Sequence, residues 1–263
     1  MEPEDIIEKP FPEIVYQYRD WKNPHHRDIL KKCQVYMTSP LKFEDKNDCN
    51  FKEFIPITYT DFFLYHRNRS CFFHKDYSEI KLYAHAKYWA LMHYKQKEKN
   101  MYVFDTYWKE IEIDKRNNHF GVLCLTDSFS NQQAWEKHGA DSKGFCVAYN
   151  RLLLFDSIEG SNLWVNYVTE LPTFDGRYDD FKTETKKKYY TKLNDYKWEN
   201  EFRMTKLYSP YDDNPKREIT IHPKCIKAVY LGAKMPDNYK QEIIELVRDK
   251  YGLEPIDLSK ENL

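Results

Sequence analysis

KWENEFRMTK, residues 197–206, sets Trp198, Phe202 and Met204 among Glu199, Glu201, Arg203 and Lys206. The apolar residues suit a strand, and along a strand the side chains at i and i+2 project from one face. The spacing therefore predicts Glu199 and Glu201 side by side, where sheets ordinarily place an apolar pair or opposite charges. Two acids held in this way are either an exposed strand face, salt-bridged to Arg203 and Lys206, or a pair kept together for chemistry.

Upstream of this stretch, EIVYQYR (13–19) alternates as a first strand. The helix HHRDILKKC and the strand QVYMTS follow Pro24. Pro40 and the charged LKFEDKNDCNF segment open a long excursion. From Tyr77 to Lys97 apolar residues recur at helical spacing, and VFDTYWKEIEI predicts a second helix. The region from about 55 to 118 reads as a helical insertion, because no Gly/Ser/Pro linker flanks it. GVLCLT, GFCVAYN and NLWVNYVTEL read as strands. NQQAWEKHG is a short helix capped by Ser130 or Asn131. After a polar, lysine-rich helix or loop (DDFKTETKKKYYTKLNDY), REITI and CIKAVYLGA close the strands. A terminal helix runs from Pro236 to Gly252. The pattern predicts one α+β domain over residues 1–263, built on a mainly antiparallel sheet.

Composition narrows the function classes. A formal net charge of −1 over 263 residues provides no global field toward nucleic acid or anionic lipid. The acidic, proline-broken start MEPEDIIEKPFPEIV lacks the features of a signal peptide, and no apolar run reaches the roughly 20 residues that span a bilayer. A cytoplasmic protein with no membrane partner is expected. The six scattered cysteines contain no Cys-x-x-Cys and read as reduced thiols. His66, Cys71 and His74 lie close in sequence but lack a fourth ligand at suitable spacing, so no metal is expected. Cys146 sits in a strand that reads as buried, where a thiol is inert despite His138 nearby. The chain contains no glycine-rich phosphate loop, His-Glu-x-x-His helix or Gly-x-Ser-x-Gly elbow.

Four segments taken together carry a resemblance. They are Tyr16 to Arg19, the Ser-Pro-Leu-x-Phe-x-Asp loop from Ser39 to Asp45, Trp135 with His138 and Gly144 to Cys146, and Trp198 to Arg203. This pattern resembles an uncharacterised bacterial domain family encountered among phage-defence and toxin-like genes. It covers most of the chain and matches loosely at 55–118. The chain departs from the family at Glu44-Asp45-Lys46, where Asn-Asp-Pro is commoner. The order Arg19, then GVLCLTDSFSNQQAW, then Glu199-Asn200-Glu201 is also similar to that of distant ADP-ribosyltransferases, which carry three such elements on a split sheet.

The resemblance implies NAD as substrate and a transferase or NAD glycohydrolase activity. Breaking the nicotinamide–ribose bond passes through an oxocarbenium-like transition state, which a carboxylate stabilises as charge develops. Glu201 is expected in that role, with Glu199 as the proton acceptor for, or orienter of, the attacking group. Arg19 suits a pyrophosphate or a ribose edge. Ser128 or Ser130, or Thr126 if the strand ends a step earlier, would hold Glu201 or the ribose in register. Phe129 or Trp135 would stack on nicotinamide. These residues should converge on one dinucleotide-sized cleft; an Arg19 on the far side of the sheet from Glu201 would end the transferase reading, and all three within reach of one pocket would support it. The acceptor is expected to be a macromolecule, RNA or DNA being gripped through Lys186, Lys187 and Lys188, with an antitoxin or a defence complex as partner. The competing reading is a non-catalytic nucleic-acid- or protein-binding module of a defence system, in which the lysines do the work. Ordinary roles stand beside each residue: turn and cap for Ser128 and Ser130, core for Trp135 and Trp198, a solvated helix face for the lysines.

Overall fold

The computed structural model describes residues 9–49, 54–209, 212 and 214–260, with backbone only at 112–117. Residues 1–8, which carry the start of the segment judged against a signal peptide, lie outside the described residues, as do the last two of LKFEDKNDCNF. In chain order the elements are β1 (Ile14–Arg19), α1 (Pro24–Lys32), β2 (Gln34–Tyr36), α2 (Tyr59–Phe73), α3 (Glu79–Lys99), α4 (Met101–His119) and β3 (Phe120–Thr126). Next come α5 (Gln132–Lys137), β4 (Phe145–Asn150), α6 (Arg151–Ile158), β5 (Ser161–Trp164), β6 (Asn166–Val168) and α7 (Phe181–Tyr189). The chain finishes with β7 (Thr191–Leu193), β8 (Glu201–Leu207), β9 (Glu218–Thr220), β10 (Ile226–Leu231), α8 (Asp237–Tyr251) and β11 (Ile256–Asp257).

This is an α+β arrangement around a 7-stranded sheet of order β11-β10-β4-β1-β3-β8-β5. Its pairings are antiparallel except for β10 with β11. One face is the main core. Val15, Leu123, Leu125, Phe145, Val147, Tyr149, Phe202 and Met204 point from the strands into Ile29 and Leu30 of α1, Leu154 of α6, and Ile243 and Val247 of α8. The opposite face carries two smaller clusters, one where Trp135 of α5 meets Tyr18 and Cys146, the other where Tyr189 and Tyr190 meet Phe120 and Val122. Between β2 and β3 in sequence, α2, α3 and α4 pack around their own core of Phe62, Tyr65, Ala90, Phe104 and Trp108.

Local chemistry explains most element ends. Asn23, Asn131 and Asn150 each accept a backbone N–H at a helix start, and Gly252 closes α8 in the left-handed region at φ 64°. At α2, Thr58 and Asp61 form a reciprocal capping box. The sequence names no separate helix at this position within the expected 55–118 insertion, because its run of consecutive aromatic residues masks any single apolar stripe. NLWVNYVTEL, expected as one strand, is two: β5 joins the main sheet, while β6 pairs in parallel with β7 in a separate ribbon.

The sheet does not hold β1 and β3 together along their length. β1 pairs with β4 from Ile14↔Asn150 to Arg19↔Phe145, yet meets β3 only at Tyr16↔Thr126. Beyond that point Val122 of β3 exchanges both backbone hydrogen bonds with Thr38 instead (2.9 and 2.8 Å). The sheet therefore forks at Tyr16, and the gap between the prongs opens toward Arg19. The tight contact of Gly144 with the Arg19 carbonyl leaves no room for a Cβ, so β1 stays tied to the β4 side of the fork.

Candidate active site at the fork

A cleft of about 100 Å³ occupies the fork, lined by Tyr16, Gln17, Tyr18 and Arg19 of β1, Cys124, Leu125 and Thr126 of β3, and Glu199, Glu201, Ala134, His138 and Trp198. It is well below the ~300 Å³ at which ligand-sized pockets begin, so the expected dinucleotide-sized cleft is not found here. A second cavity of about 420 Å³ shares Gln17 and Arg19 as a wall.

The two glutamates reach the cleft by different routes. Residues Asn194–Glu199 form a 3-10 turn that Asn200 ends in the left-handed conformation at φ 43°. The expectation that both acids share one strand face is thus corrected: Glu201 begins β8, and Glu199 precedes the strand. Asn200 suits this break because its short polar side chain tolerates the left-handed region, and its amide donates to the distant Asp127, just past the end of β3. Along β8, Glu201 and Arg203 share the face opposite the main core, whose residues are Phe202 and Met204.

Glu201 is only 3% exposed, and Arg203 is fully buried. The Arg203 guanidinium donates to both Glu201 oxygens (2.7 and 2.9 Å) and to both Asp48 oxygens (2.9 and 2.6 Å). It also donates to the Tyr189 carbonyl at 2.9 Å. The Lys192 ammonium lies 2.5 Å from Glu199, 3.3 Å from Glu201 and 3.4 Å from Asp48. Three carboxylates (Asp48, Glu199, Glu201) thus face two cations (Lys192, Arg203). The alternative of an exposed salt-bridged strand is corrected in turn: the pairs exist, but they are buried, and Lys206 donates to the Ile158 carbonyl instead.

The surplus acid is Glu199. Burial, followed by the Glu201 charge, pushes its carboxyl up to about 7. Burial also opposes the charge on Glu201, but Arg203 and then Lys192 outweigh it and hold that carboxyl down at about 2. Burial likewise disfavours the Lys192 ammonium, and Glu201, Asp48 and Glu199 more than reverse this. Environment thereby separates two acids of one chemistry, leaving Glu201 ionised and Glu199 able to exchange a proton near neutrality.

A pH dependence of stability follows. Glu199 binds its proton more tightly in the folded protein (about 7) than at its ordinary 4.5, so its contribution is complete below 4.5 and is lost as pH rises through about 7. Glu201, held at about 2, contributes above 4.5 and loses that contribution as pH falls toward 2. Denaturant unfolding at stepped pH should show a decline between about pH 4.5 and 7, levelling off above 7, that Glu199→Gln removes. An unchanged slope in that variant would refute the assignment.

The remaining candidates divide. Thr126 lies directly opposite both Tyr16 and Glu201 in the sheet, lines the cleft, and has a buried hydroxyl with no hydrogen-bond partner. Ser128 and Ser130 do not line the cleft; their hydroxyls bond each other at 2.9 Å in the turn after β3. Trp135 is buried core, donating to the Phe129 carbonyl at 2.8 Å and packing edge-on to Tyr18. Phe129 stacks on Tyr230. Their expected roles at the ligand are therefore corrected, and the aromatic wall is Trp198, over which the exposed His138 ring stacks at 6.0 Å. Although the residue as a whole is exposed, desolvation of its ring against Trp198, then the nearby Arg19 and Lys192 charges, lower the pKa of His138.

Arg19 needs care. Its register partner Phe145 belongs to the main core, so Arg19 and Gln17 project from the face opposite Glu201 and border the acid cleft only through the fork. The expectation that Arg19 and the acids share one face is corrected, while their access to one cleft remains. The lysine run is also not a continuous exposed grip: Lys188 is buried against Glu184 at 2.7 Å and Lys187 pairs with Asp179. Burial raises the Cys146 thiol well above its ordinary range, as expected of an inert sulfur. Among the described residues no group of three or more His, Cys, Asp or Glu is arranged to hold a metal ion, and no helix is long and apolar enough to cross a membrane.

Sequence reasoning missed Asp48, Lys192 and Gln17. Arg203 had a legible signal, since two residues from Glu201 on a strand it must share that face. Asp48 lies 155 residues from Arg203, and nothing local announces their pairing.

No family model and no solved structure matches the chain. Among curated proteins it is similar to formin-binding protein 1-like of Rattus norvegicus, Homo sapiens and Mus musculus, at 24% identity over 187 residues in each case. The match covers 69% of this chain and 30% of those proteins. The chain thus spans less than a third of their length, and a likeness at that identity shows no family.

Proposed function

We propose that the fork is the active site of an ADP-ribosyltransferase-like enzyme that cleaves the nicotinamide–ribose bond of NAD and transfers ADP-ribose to a macromolecular acceptor in a toxin or antiviral-defence setting. The observation that carries the reading is the convergence of Thr126, Glu199 and Glu201 on one cleft; Arg19 projects from the opposite face of the sheet, and it borders that cleft only because the strands part at the fork. The pairing of an ionised Glu201 with a Glu199 poised near neutrality matches the two tasks of the reaction. Glu201 contributes fixed negative charge where the ribose becomes oxocarbenium-like, and Glu199 accepts the proton of the attacking group. Thr126, with its free buried hydroxyl between the strands, orients a ribose oxygen. Trp198 offers the flat wall for nicotinamide. The fold class is compatible, because a split in an antiparallel sheet places the first strand and the Glu-bearing strand on one crevice.

The non-catalytic binding-module reading is less favoured, since Lys187 and Lys188 are engaged with acids of their own chain. The test is to incubate the purified protein with NAD and a cell lysate, following nicotinamide release and transfer of label. Release or transfer that Glu199→Gln abolishes supports the proposal. Neither signal, together with identical behaviour of the wild type and Glu201→Gln in cells, overturns it.

A further inference from the structure

Gln17 and Arg19 stand two residues apart on one face of β1, which turns them toward the larger cavity. That cavity, about 420 Å³, is walled by His25, His26 and Ile29 of α1, by β2, and by Thr38 and Lys42 beyond it. Its size lies within the roughly 300–1,000 Å³ of small-molecule sites. Two features point to an oxyanion where it meets the acid cleft. Arg19 donates to the Tyr18 carbonyl at 3.1 Å and, among the described residues, forms no ion pair. Gln17 is 2% exposed. Its Oε1 accepts from the Tyr149 hydroxyl at 3.3 Å, and its Nε2 has no hydrogen-bond partner. A buried donor without an acceptor beside a guanidinium without a carboxylate is an arrangement that a bound anion completes. Burial lowers the Arg19 pKa, so the folded protein bears the cost of an uncompensated charge at this point. Lys42 at the exposed rim adds positive charge near Tyr36, while Asp28 and Glu218 across the cavity suit sugar hydroxyls.

We propose that the two cavities are one elongated site with Gln17 and Arg19 at its waist, and that the larger half holds the nucleoside-diphosphate portion of the ligand. Gln17 is a ligand-binding residue, its Nε2 donating to a diphosphate oxygen. This rests on the reading of the fork as the reacting end, and it explains how a cleft of about 100 Å³ serves a dinucleotide.

The test is calorimetric titration of the full chain with ADP, ADP-ribose and nicotinamide, using wild type, Gln17→Met and Lys42→Glu. Gln17→Met keeps the length of the side chain and removes the donor; Lys42→Glu alters only an exposed rim position and leaves the fold undisturbed. ADP and ADP-ribose should bind the wild type at one site, about tenfold more weakly to Gln17→Met and severalfold more weakly to Lys42→Glu. Nicotinamide binding should be unchanged by both. Wild type that binds neither ADP nor ADP-ribose, or affinities indifferent to both substitutions, overturns the proposal. Gln17-dependent binding of ADP-ribose by a protein that releases no nicotinamide supports this site and overturns the transferase reading. Nicotinamide release whose KM for NAD is unmoved by Gln17→Met does the reverse.

Discussion

Replacing Arg203 by Met is expected to lower the free energy of unfolding by about 3–5 kcal/mol at neutral pH. The guanidinium is fully buried, and its removal leaves Glu201 and Asp48, both nearly buried, with only Lys192 to share. The Tyr189 carbonyl loses its donor as well. Total stabilities of about 5–15 kcal/mol make this a large fraction of what holds such a domain together. The mechanism has a signature beyond its size. Without Arg203 the Glu201 carboxyl no longer sits near 2, so the folded protein takes up protons that the wild type excludes. The deficit should therefore shrink as the pH is lowered toward 5. Denaturant titrations of wild type and Arg203→Met at pH 7.5 and 5 measure it, and a deficit equal at both pH values would mean lost packing rather than lost charge compensation.

Glu199→Gln is expected to lower NAD turnover by about a hundred- to ten-thousand-fold, the range in which a positioned general base contributes. The amide copies the shape of the protonated acid, so the variant should fold normally and become more stable than wild type above pH 7, where the third carboxylate of the cluster would otherwise ionise. Wild-type activity should rise with pH through about 7 as Glu199 loses its proton, and the residual activity of the variant should lack that rise. Steady-state nicotinamide release across pH 5.5–8.5 provides the comparison. More than half of wild-type turnover in the variant would remove Glu199 from the mechanism and leave Glu201 alone at the reacting carbon.

Local patterns in the sequence located much of the frame. The alternation of Ile14–Arg19, the helical spacing of Glu79–Lys99, the cap at Asn131 and the stop at Gly252 are decided by a few neighbouring residues, so they can be read along the chain. The α+β class and the mainly antiparallel sheet follow from the order of such signals. Failures fall where a single backbone angle or a distant partner decides. Asn200 turns left-handed and separates two glutamates that strand spacing places on one face. Val165 divides what reads as one strand into β5 and β6, because each half finds a different partner strand. The hydroxyls of Ser128 and Ser130 bond each other within their turn, so their residue type at that position did not reveal where they face.

The sequence by itself determined that Glu201 and Arg203 share one strand face, since a period of two admits no other arrangement within β8. Tertiary structure alone decided that Asp48 and Lys192 close on that pair, that Glu199 is the acid in surplus, and that the sheet forks at Tyr16. It also decided that Arg19 turns away from the acids and meets them only through that fork. The reason is the reach of the forces involved. Backbone periodicity acts over a few residues, whereas the proton affinity of a buried carboxylate depends on every charge that folding brings near it, and those charges come from chain segments up to 155 residues apart.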